Sequence, residues 1–301
     1  MAIVTRTGFS ALLTPDIWEL VEETGKERPR EYTSVTNEIE MDLNPIKIQQ
    51  AAGLAAMPSK PEGTPFTLDQ PYLENTKTVT AVPYGMAVEF TWEAWRDELY
   101  GFFRDMAKEM GRSSRYREEL DGSTPYNNAF STGTIGFNSG EALCSTSHAS
   151  PTTGTTQANR PSPDVGFSIT GLQSALIRFH RMKNDRDIPQ AMFPEMVIID
   201  SFNLFAAREI LGSSGKPFTP DNELNSLIPD GLRYFVHHYL TTQTNWFLKA
   251  PQGQHRIMFG WRDHPIDDSY DDPSTKNAVF TRYQRHVTFF DDYRGIDGST
   301  G

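Results

Sequence analysis

The stretch EALCSTSHAS at residues 141–150 comes closest to a catalytic pattern in this chain. Cys144, the only cysteine, lies four residues before His148, with serines between them. A nucleophile and its base must lie within hydrogen-bond reach, and a third group must orient the base. In a strand these positions share a face but lie about 13 Å apart, and CSTSH between Gly140 and Pro151 is a poor helix sequence. The pattern therefore favours a small buried thiol and a locally bonded histidine over a Cys/His hydrolase, and we predict no catalytic residue.

The other histidines and the acidic residues do not indicate a metal centre. His237 and His238 are adjacent, and a strand would point them to opposite faces, so they would not easily bind one metal. His255 and His264 are too dispersed to complete a site. The densest acidic group is Asp267, Asp268, Asp271 and Asp272. It offers oxygen ligands for Ca²⁺ but lacks the Asp-x-Asp-x-Asp-Gly spacing of an EF-hand, so a solvated acidic loop explains it better.

Three glycines suggest phosphate binding but lack the necessary context. Gly133, Gly136 and Gly140 do not form a dinucleotide fingerprint, because no clear strand-turn-helix pattern surrounds them. We therefore predict no metal, no cofactor and no enzymatic activity.

The composition limits the classes of protein that remain. The 301 residues suffice for one large domain or two modest ones, and the formal net charge is −11. This balance argues against gripping nucleic acid by bulk charge, which needs clustered Lys and Arg, but it allows a protein that surrounds nucleic acid. A single cysteine permits no intrachain disulfide. No apolar run reaches the roughly 20 residues of a membrane span, and the N-terminus lacks a signal-peptide pattern, so we expect a soluble protein made in the cytosol.

The N-terminal part predicts one helix followed by a polar arm. Residues 10–24 suit a helix with Thr14 as N-cap and Pro15 at its first position. The next twenty residues are charged and bury little by themselves, so they form either a disordered tail or an arm that orders against another chain. Ile39, Met41 and Leu43 alternate with acids, as in a strand, which favours the arm.

A projecting loop and a strand precede the clearest helix. Residues 51–76 contain four prolines, and a structureless loop of this length is easier to explain as a projecting element than inside a compact domain. Residues 77–90 alternate and are rich in valine and aromatics, as in a strand.

The long helix is predicted from about residue 91 to about 115, with Thr91 as its cap. Its apolar residues recur with a period near 3.6 and should form the buried side: Trp92, Trp95, Leu99, Phe102, Phe103, Met106 and Met110. Four polar residues should be more exposed: Arg96, Asp105, Lys108 and Glu109. Gly111 either ends the helix or marks a break before a basic turn. The arginines of that turn, Arg112, Arg115 and Arg117, form either a solvated face or a charge contact between subunits.

The C-terminal half alternates helices and strands after a segment rich in Gly, Ser, Thr and Pro at 131–166. A helix starts at Ser168 or Thr170, a buried strand occupies 192–200, and a third helix at 201–217 is closed by Gly212 or Gly215. GLRYFVHHYL and NWFLKA are predicted to pair with each other around TTQT, and residues 278–300 form a last strand region.

The order of these segments resembles the major capsid proteins of tailed bacteriophages, in particular the Mu-like head-subunit group of the HK97 fold. The strings that carry the resemblance are VPYGMAVEFTWEAWRDELYG, MGRSSRYREELDGSTPYNNAF, GEALCSTSH, FPEMVIIDSFNLFAAREILGS, LTTQTNWFLKA and VTFFDDYRGIDGS. They are collinear with the family's order over about residues 80–300. Cys144 stands where an aromatic residue is commoner in that group.

The resemblance implies an α+β, HK97-like capsid fold in four parts. Residues 1–50 would be the N-arm and 51–90 the E-loop hairpin, laid over a neighbour. The peripheral domain would comprise 91–165, with its spine helix at about 91–115, and the closing strands at 276–301. Residues 166–275 would be the axial domain. EALCSTSHAS would then be a structural strand and turn in the peripheral domain.

The implied function is that of a major capsid protein, a structural homo-oligomer of the virion. It would assemble in the host bacterial cytoplasm into pentamers and hexamers of an icosahedral shell around double-stranded DNA, without sequence-specific DNA contacts. The implied partners are further copies of itself, a separate scaffolding protein and the portal protein, with decoration proteins left open and no membrane. Some family members crosslink an E-loop lysine to an asparagine; Lys60 and Lys77 lie in that region, but no pair is marked. The alternative is an encapsulin-like shell that encloses cargo protein.

Overall fold

Two four-stranded sheets organise the chain, and they share no strand. This computed structural model describes residues 9–91, 93–94, 97, 101–132, 141–150, 152–213, 215, 225–227, 231–272, 274–275 and 277–301. No helix within these ranges is long and apolar enough to cross a bilayer.

The first sheet has the order β1-β10-β11-β4, with β1 parallel to β10 and the other neighbours antiparallel. Its strands are β1 Asn37–Glu40, β4 Val82–Phe90, β10 Ile257–Asp271 and β11 Ala278–Phe290. Helices α1 (Phe9–Gly25) and α3 (Phe102–Asn127) cover one face. Val21, Phe103 and Phe280 pack together there in one apolar cluster, so burial of this face holds the two helices to the sheet.

A two-stranded hairpin extends from this sheet. Strand β2 (Ile46–Ala52) pairs with β3 (Tyr72–Val79) in antiparallel register. At the base of the hairpin, Val79 packs with Met41 and Phe289. Residues 53–71 contain no strand or helix, and every one of them is exposed. An exposed loop without strand or helix is therefore confirmed at 53–71, whereas both ends of the predicted range 51–76 are strand, since β2 reaches Ala52 and β3 begins at Tyr72.

The second sheet has the order β12-β9-β7-β8. Its strands are β7 Met196–Ile199, β8 Arg233–Val236, β9 Trp246–Lys249 and β12 Ile296–Ser299. Two helices pack on it, α4 (Ile169–His180) and α5 (Leu204–Gly212), the latter entered through a 3-10 turn at Ser201–Asn203. The hydroxyl of Ser168 accepts a hydrogen bond from the amide of Gly171 and so caps α4, as predicted. A short ladder of β5 (His148–Ala149) and β6 (Thr156–Gln157) lies outside both sheets.

Each of the two sheets contains strands from both sides of the predicted domain boundary at residue 275. Strand β10 lies before it and belongs to the first sheet, whereas β12 lies after it and belongs to the second. The predicted pairing of GLRYFVHHYL with NWFLKA is wrong, because β7 lies between β8 and β9 and pairs with both. Central β7 is buried along most of its length, as predicted for residues 192–200.

The long helix begins later than the sequence predicts. The amide of Ala94 donates to the hydroxyl of Thr91 over 3.2 Å, so Thr91 caps a helical turn as expected. Gly101 then takes a left-handed backbone conformation, with φ of 73°, which interrupts the helix, and α3 begins at Phe102. The interruption resets the helical phase. Phe103 is buried and 5% exposed, but Phe102 is 57% exposed, so its predicted burial is wrong. Trp92, Trp95, Arg96 and Leu99 lie outside the described residues.

Helix α3 continues through Gly111 instead of ending there, and runs to Asn127. A Cβ atom at Gly111 would lie 2.5 Å from the carbonyl oxygen of Val21, and one at Gly122 would lie 2.3 Å from Cβ of Tyr32. Both glycines therefore permit the N-terminal segment to approach the backbone of α3.

The basic turn of α3 is paired within the subunit. Three ion pairs account for its arginines: Arg112 with Glu27 at 3.4 Å, Arg115 with Glu118 at 3.0 Å, and Arg117 with Asp121 at 2.5 Å. The sequence analysis allowed these arginines to form either a solvated face or a contact between subunits, whereas the structure pairs each of them with a carboxylate of the same chain.

The polar segment after α1 belongs to the body of the subunit, not to an arm that buries little. Helix α1 starts at Phe9, five residues before the predicted cap Thr14. Tyr32 and Val35, on the short helix α2 (Tyr32–Val35), are fully buried, and β1 adds a parallel strand to β10. Both carboxylate oxygens of Glu119 accept hydrogen bonds, from the amides of Glu31 and Tyr32 at 3.0 and 2.9 Å. The expectation that this segment contributes little to the monomer core is wrong, because Tyr32 stacks on Phe259 and Val35 belongs to the apolar cluster around Phe247.

Candidate functional site

Cys144 is a packing residue in the fully buried cluster between the two sheets. Its amide donates to the carbonyl of Ala129 over 2.7 Å, and its sulfur lies where a side chain at position 298 would clash. Burial raises the pKa of the thiol well above its ordinary value, and the carboxylate of Asp297 adds to this. A thiol in this setting does not form the thiolate that a nucleophile requires.

His148 is bonded locally, as predicted. Its Nδ1 lies 3.0 Å from Oε2 of Glu141, its Nε2 lies 2.9 Å from Oδ1 of Asn159, and its ring stacks on Tyr293 at 3.7 Å. The side-chain amide of Asn159 donates to the carbonyls of Leu143 and Ile296. This network ties residues 141–159 to strand β12, so the EALCSTSHAS segment is held by structural contacts.

The adjacent histidines do not face opposite sides, contrary to prediction. Nδ1 of His237 lies 3.0 Å from one oxygen of Glu31, and Nδ1 of His238 lies 2.6 Å from the other. Strand β8 ends at Val236, so the alternation of a strand no longer applies at these positions. Burial opposes ionisation of Glu31, but hydrogen bonds from His237 and from His238 outweigh it and lower the pKa of this carboxyl. The cluster fastens the N-terminal segment to the second sheet.

The remaining predicted polar residues are dispersed among separate contacts. Nε2 of His264 lies 2.8 Å from Oε1 of Glu40. The predicted acidic loop is wrong for three of its four residues, because Asp267, Asp268 and Asp271 lie on strand β10. Asp267 forms an ion pair with Arg282, and Asp272 accepts hydrogen bonds from Ser274 in a turn. Across the part of the chain that the structure describes, no three His, Cys, Asp or Glu residues are grouped to hold a metal ion. The three glycines at 133, 136 and 140 lie outside that part.

The loop at 53–71 carries an exposed apolar surface that the sequence analysis did not single out. Its large apolar residues are Leu54, Met57, Phe66 and Leu68, and three of them are more than 80% exposed. The ammonium group of Lys60 lies 4.8 Å from the centre of the Phe66 ring, yet Phe66 remains 81% exposed. The available signal was the presence of apolar residues within a proline-rich segment. Exposed apolar patches commonly mark sites of interaction with another molecule.

The first sheet presents a second exposed surface. Ile266, Tyr283 and Gly85 are direct neighbours across β10, β11 and β4, and therefore share one face. Tyr270 lies on the same face four residues further along β10. Helices α1 and α3 cover the opposite face, where Phe280 is buried. The base of the hairpin covers one end of the present face at Val287 and Phe289, whereas Ile266 and Tyr270 at the other end are half exposed. We call this surface the open sheet face.

The chain therefore presents two exposed surfaces, the apolar loop at 53–71 and the open sheet face. Solved shell proteins share its fold. The capsid protein of the cyanophage P-SCSP1u aligns with a TM-score of 0.61 over 91% of this chain and 88% of its own, at 11% identity. The capsid of an empty GTA particle aligns with a TM-score of 0.56 over 90% of each chain, at 10% identity. A virus-like particle from Pyrococcus furiosus aligns with a TM-score of 0.55 over 95% of this chain and 98% of its own, at 6% identity.

The chain therefore has an HK97-like capsid fold of mixed helices and strands. The sequence model of the family described as phage capsid protein matches residues 74–296, and the chain belongs to this family. No curated protein matches the sequence.

Proposed function

We propose that this chain is the major capsid protein of a tailed bacteriophage and that it assembles into the pentamers and hexamers of an icosahedral shell around double-stranded DNA. Membership of the phage capsid family and the HK97-like fold support this proposal. The finer resemblance to the Mu-like head subunits, and the virion as the final location, are parts of the same proposal.

The proposal of self-assembly is supported by two exposed surfaces on the same subunit. The apolar loop residues and the open sheet face are all exposed, so neither surface covers the other within the chain. A contact between two different surfaces of identical subunits is heterologous, and such contacts generate rings and extended arrays. The loop of one copy would pack on the open sheet face of the next.

The domain division of capsid proteins is adapted accordingly. The E-loop is the hairpin Ile46–Val79, and α1, α2 and β1 are assigned to the body of the subunit instead of the N-arm. The first sheet with α3 forms the peripheral domain, and the second sheet with α4 and α5 forms the axial domain around the symmetry axes. A separate scaffolding protein and the portal protein are the proposed partners in assembly. The DNA is enclosed without sequence-specific contacts, in keeping with the net charge of −11.

The alternative is an encapsulin-like shell that encloses cargo protein, and one observation favours keeping it. The fold likeness to the virus-like particle covers nearly the whole of both chains, so the fold alone does not decide the contents of the shell. The family match to phage capsid proteins favours the phage. Electron microscopy of particles purified from their native source, with assay of nuclease-protected DNA, separates the two: protected DNA supports the phage capsid, and packed protein without DNA supports the alternative.

The docking surfaces are tested by substitution on each side. Phe66→Ser with Leu68→Ser alters the loop, and Ile266→Ser with Tyr283→Ser alters the open sheet face. Because these side chains are exposed in the subunit, folding should change little, whereas assembly followed by sedimentation should be lost in both variants. Ser59→Ala, on the same loop but without apolar surface, is the matched control and should assemble normally. Normal shells from both double variants would refute the proposed contact.

A further inference from the structure

A single guanidinium group joins both legs of the exposed loop to the body of the subunit. Nε of Arg186 donates to the carbonyl of Gly53 over 3.1 Å, and its Nη2 donates to the carbonyl of Gln70 over 2.9 Å. Its Nη2 also lies 3.6 Å from Oδ1 of Asp69. Gly53 and Gln70 are the points at which the chain leaves β2 and approaches β3, so Arg186 grips the loop at its neck.

The neck is also tied across its own two legs. The other carboxylate oxygen of Asp69 accepts a hydrogen bond from the amide of Ala55 over 2.7 Å. One leg thus carries the carboxylate that binds the opposite leg and also pairs with Arg186. The guanidinium is planar, with donors in a fixed fork, so it aligns two carbonyls in a way that a flexible ammonium group does not.

Arg186 stands on a turn that is itself held firmly. The side-chain oxygen of Asn184 accepts hydrogen bonds from the amides of Arg186 and Ile188, both over 2.9 Å. The preceding Asp185 forms a 2.5 Å ion pair with Arg294, and its carbonyl accepts from the hydroxyl of Ser150. These contacts hold the turn that carries Arg186 against the interior of the subunit, and Arg186 in turn holds the neck of the loop.

We propose that Arg186 is a positioning residue for assembly, which presents the loop to a second copy of this chain in the orientation required for docking. The inference rests on the proposed function, since it presupposes that the loop docks. Among the described residues, the guanidinium of Arg186 bonds to the neck, while Met57, Phe66 and Leu68 remain exposed. The grip therefore displays the docking residues without covering them, which separates a positioning role from an autoinhibitory one. Holding a loop in its bound orientation lowers the ordering cost of association.

The first measurement follows the loop in unassembled subunits. Hydrogen exchange across residues 46–79 is compared among the wild-type chain, Arg186→Ala and Arg186→Lys. Both variants should exchange faster near the neck, because the lysine keeps the charge near Asp69 but lacks the fork that aligns two carbonyls. The exchange of α3 should be unchanged in both, which shows that the subunit remains folded. Unchanged exchange at the neck in Arg186→Ala would overturn the inference.

The second measurement is assembly at a series of subunit concentrations. Arg186→Ala should require a concentration about three- to tenfold higher than wild type for half-assembly, the range expected for the added cost of ordering about one side chain. Faster or unchanged assembly of Arg186→Ala would overturn the positioning role. The double variant Phe66→Ser with Leu68→Ser serves as the reference. If it fails to assemble while Arg186→Ala assembles normally, only the positioning role is refuted; if it assembles normally, the docking contact of the proposed function fails as well.

Discussion

Nζ of Lys249 lies 3.2 Å from Nε2 of His255 in the interior of the subunit, where both side chains are fully buried. Burial lowers the pKa of Lys249 to about 8 and that of His255 to about 3, and the nearby positive charges act in the same direction. Of the two groups, the lysine therefore carries the proton at neutral pH, and its charge faces an imidazole instead of a carboxylate.

Replacing this lysine should stabilise the subunit. Because the pKa of Lys249 is depressed in the folded state, its protonated form costs free energy below about pH 8, and the cost disappears as the pH rises toward 10.5. Lys249→Met should raise the free energy of unfolding by about 1–2 kcal/mol at pH 7, after allowance for the hydrogen bond lost at His255. Urea denaturation of unassembled subunits at pH 7 and at pH 10.5 measures this. The gain should vanish at the higher pH, and Lys249→Arg, which keeps the charge, should show no gain; a less stable Lys249→Met at pH 7 would contradict the prediction.

Two adjacent phenylalanines on α3 should respond very differently to truncation. Phe103 is buried and makes an edge-to-face contact with Phe90 at 4.6 Å, whereas Phe102 is largely exposed. Phe103→Ala should lower the free energy of unfolding by about 3–4 kcal/mol, and Phe102→Ala by less than about 1 kcal/mol. Thermal and urea unfolding of the two variants provide the comparison. Equal losses would mean that the helical phase set by Gly101 is different in solution.

Cys144 should be inert in the native subunit. Its burial and raised pKa leave no accessible thiolate. Mass spectrometry after iodoacetamide treatment should find the native protein unmodified under conditions that alkylate the urea-unfolded chain completely. Rapid alkylation of the folded subunit would contradict the buried position of this residue.

Removal of residues 1–45 should prevent folding of the subunit. The deletion takes away α1, α2 and β1, and with them the fully buried side chains of Val21, Tyr32 and Val35. We expect an insoluble product or a chain without a cooperative unfolding transition by circular dichroism. The matched control replaces residues 54–68, which are all exposed, with a short glycine-serine linker and should keep the native transition. A folded truncated subunit would restore the interpretation of this segment as an arm.

Elements defined by local patterns were predictable from the sequence. The start signal at Ser168 or Thr170 predicts α4, and the structure places the helix at Ile169–His180 with Ser168 as its cap. The apolar run at 192–200 predicts a buried strand, found at Met196–Ile199, and the prolines within 51–76 predict a loop, found at 53–71. Each of these depends on interactions within a few residues, so the local sequence is enough to specify them.

Relations between distant segments were decided by the tertiary structure. The periodicity from residue 91 predicts a helix, but the left-handed backbone of Gly101 determines which side of it is buried, and so places Phe102 outside and Phe103 inside. Strand β7 lies between β8 and β9 because pairing is chosen by the packing of whole faces, not by proximity along the chain. Glu31 meets His237 across 206 positions, and Arg186 meets Gly53 across 133. No periodicity or motif predicts contacts between residues so far apart in the sequence. Such contacts become favourable only when folding brings both partners into the same partly enclosed, low-dielectric surroundings.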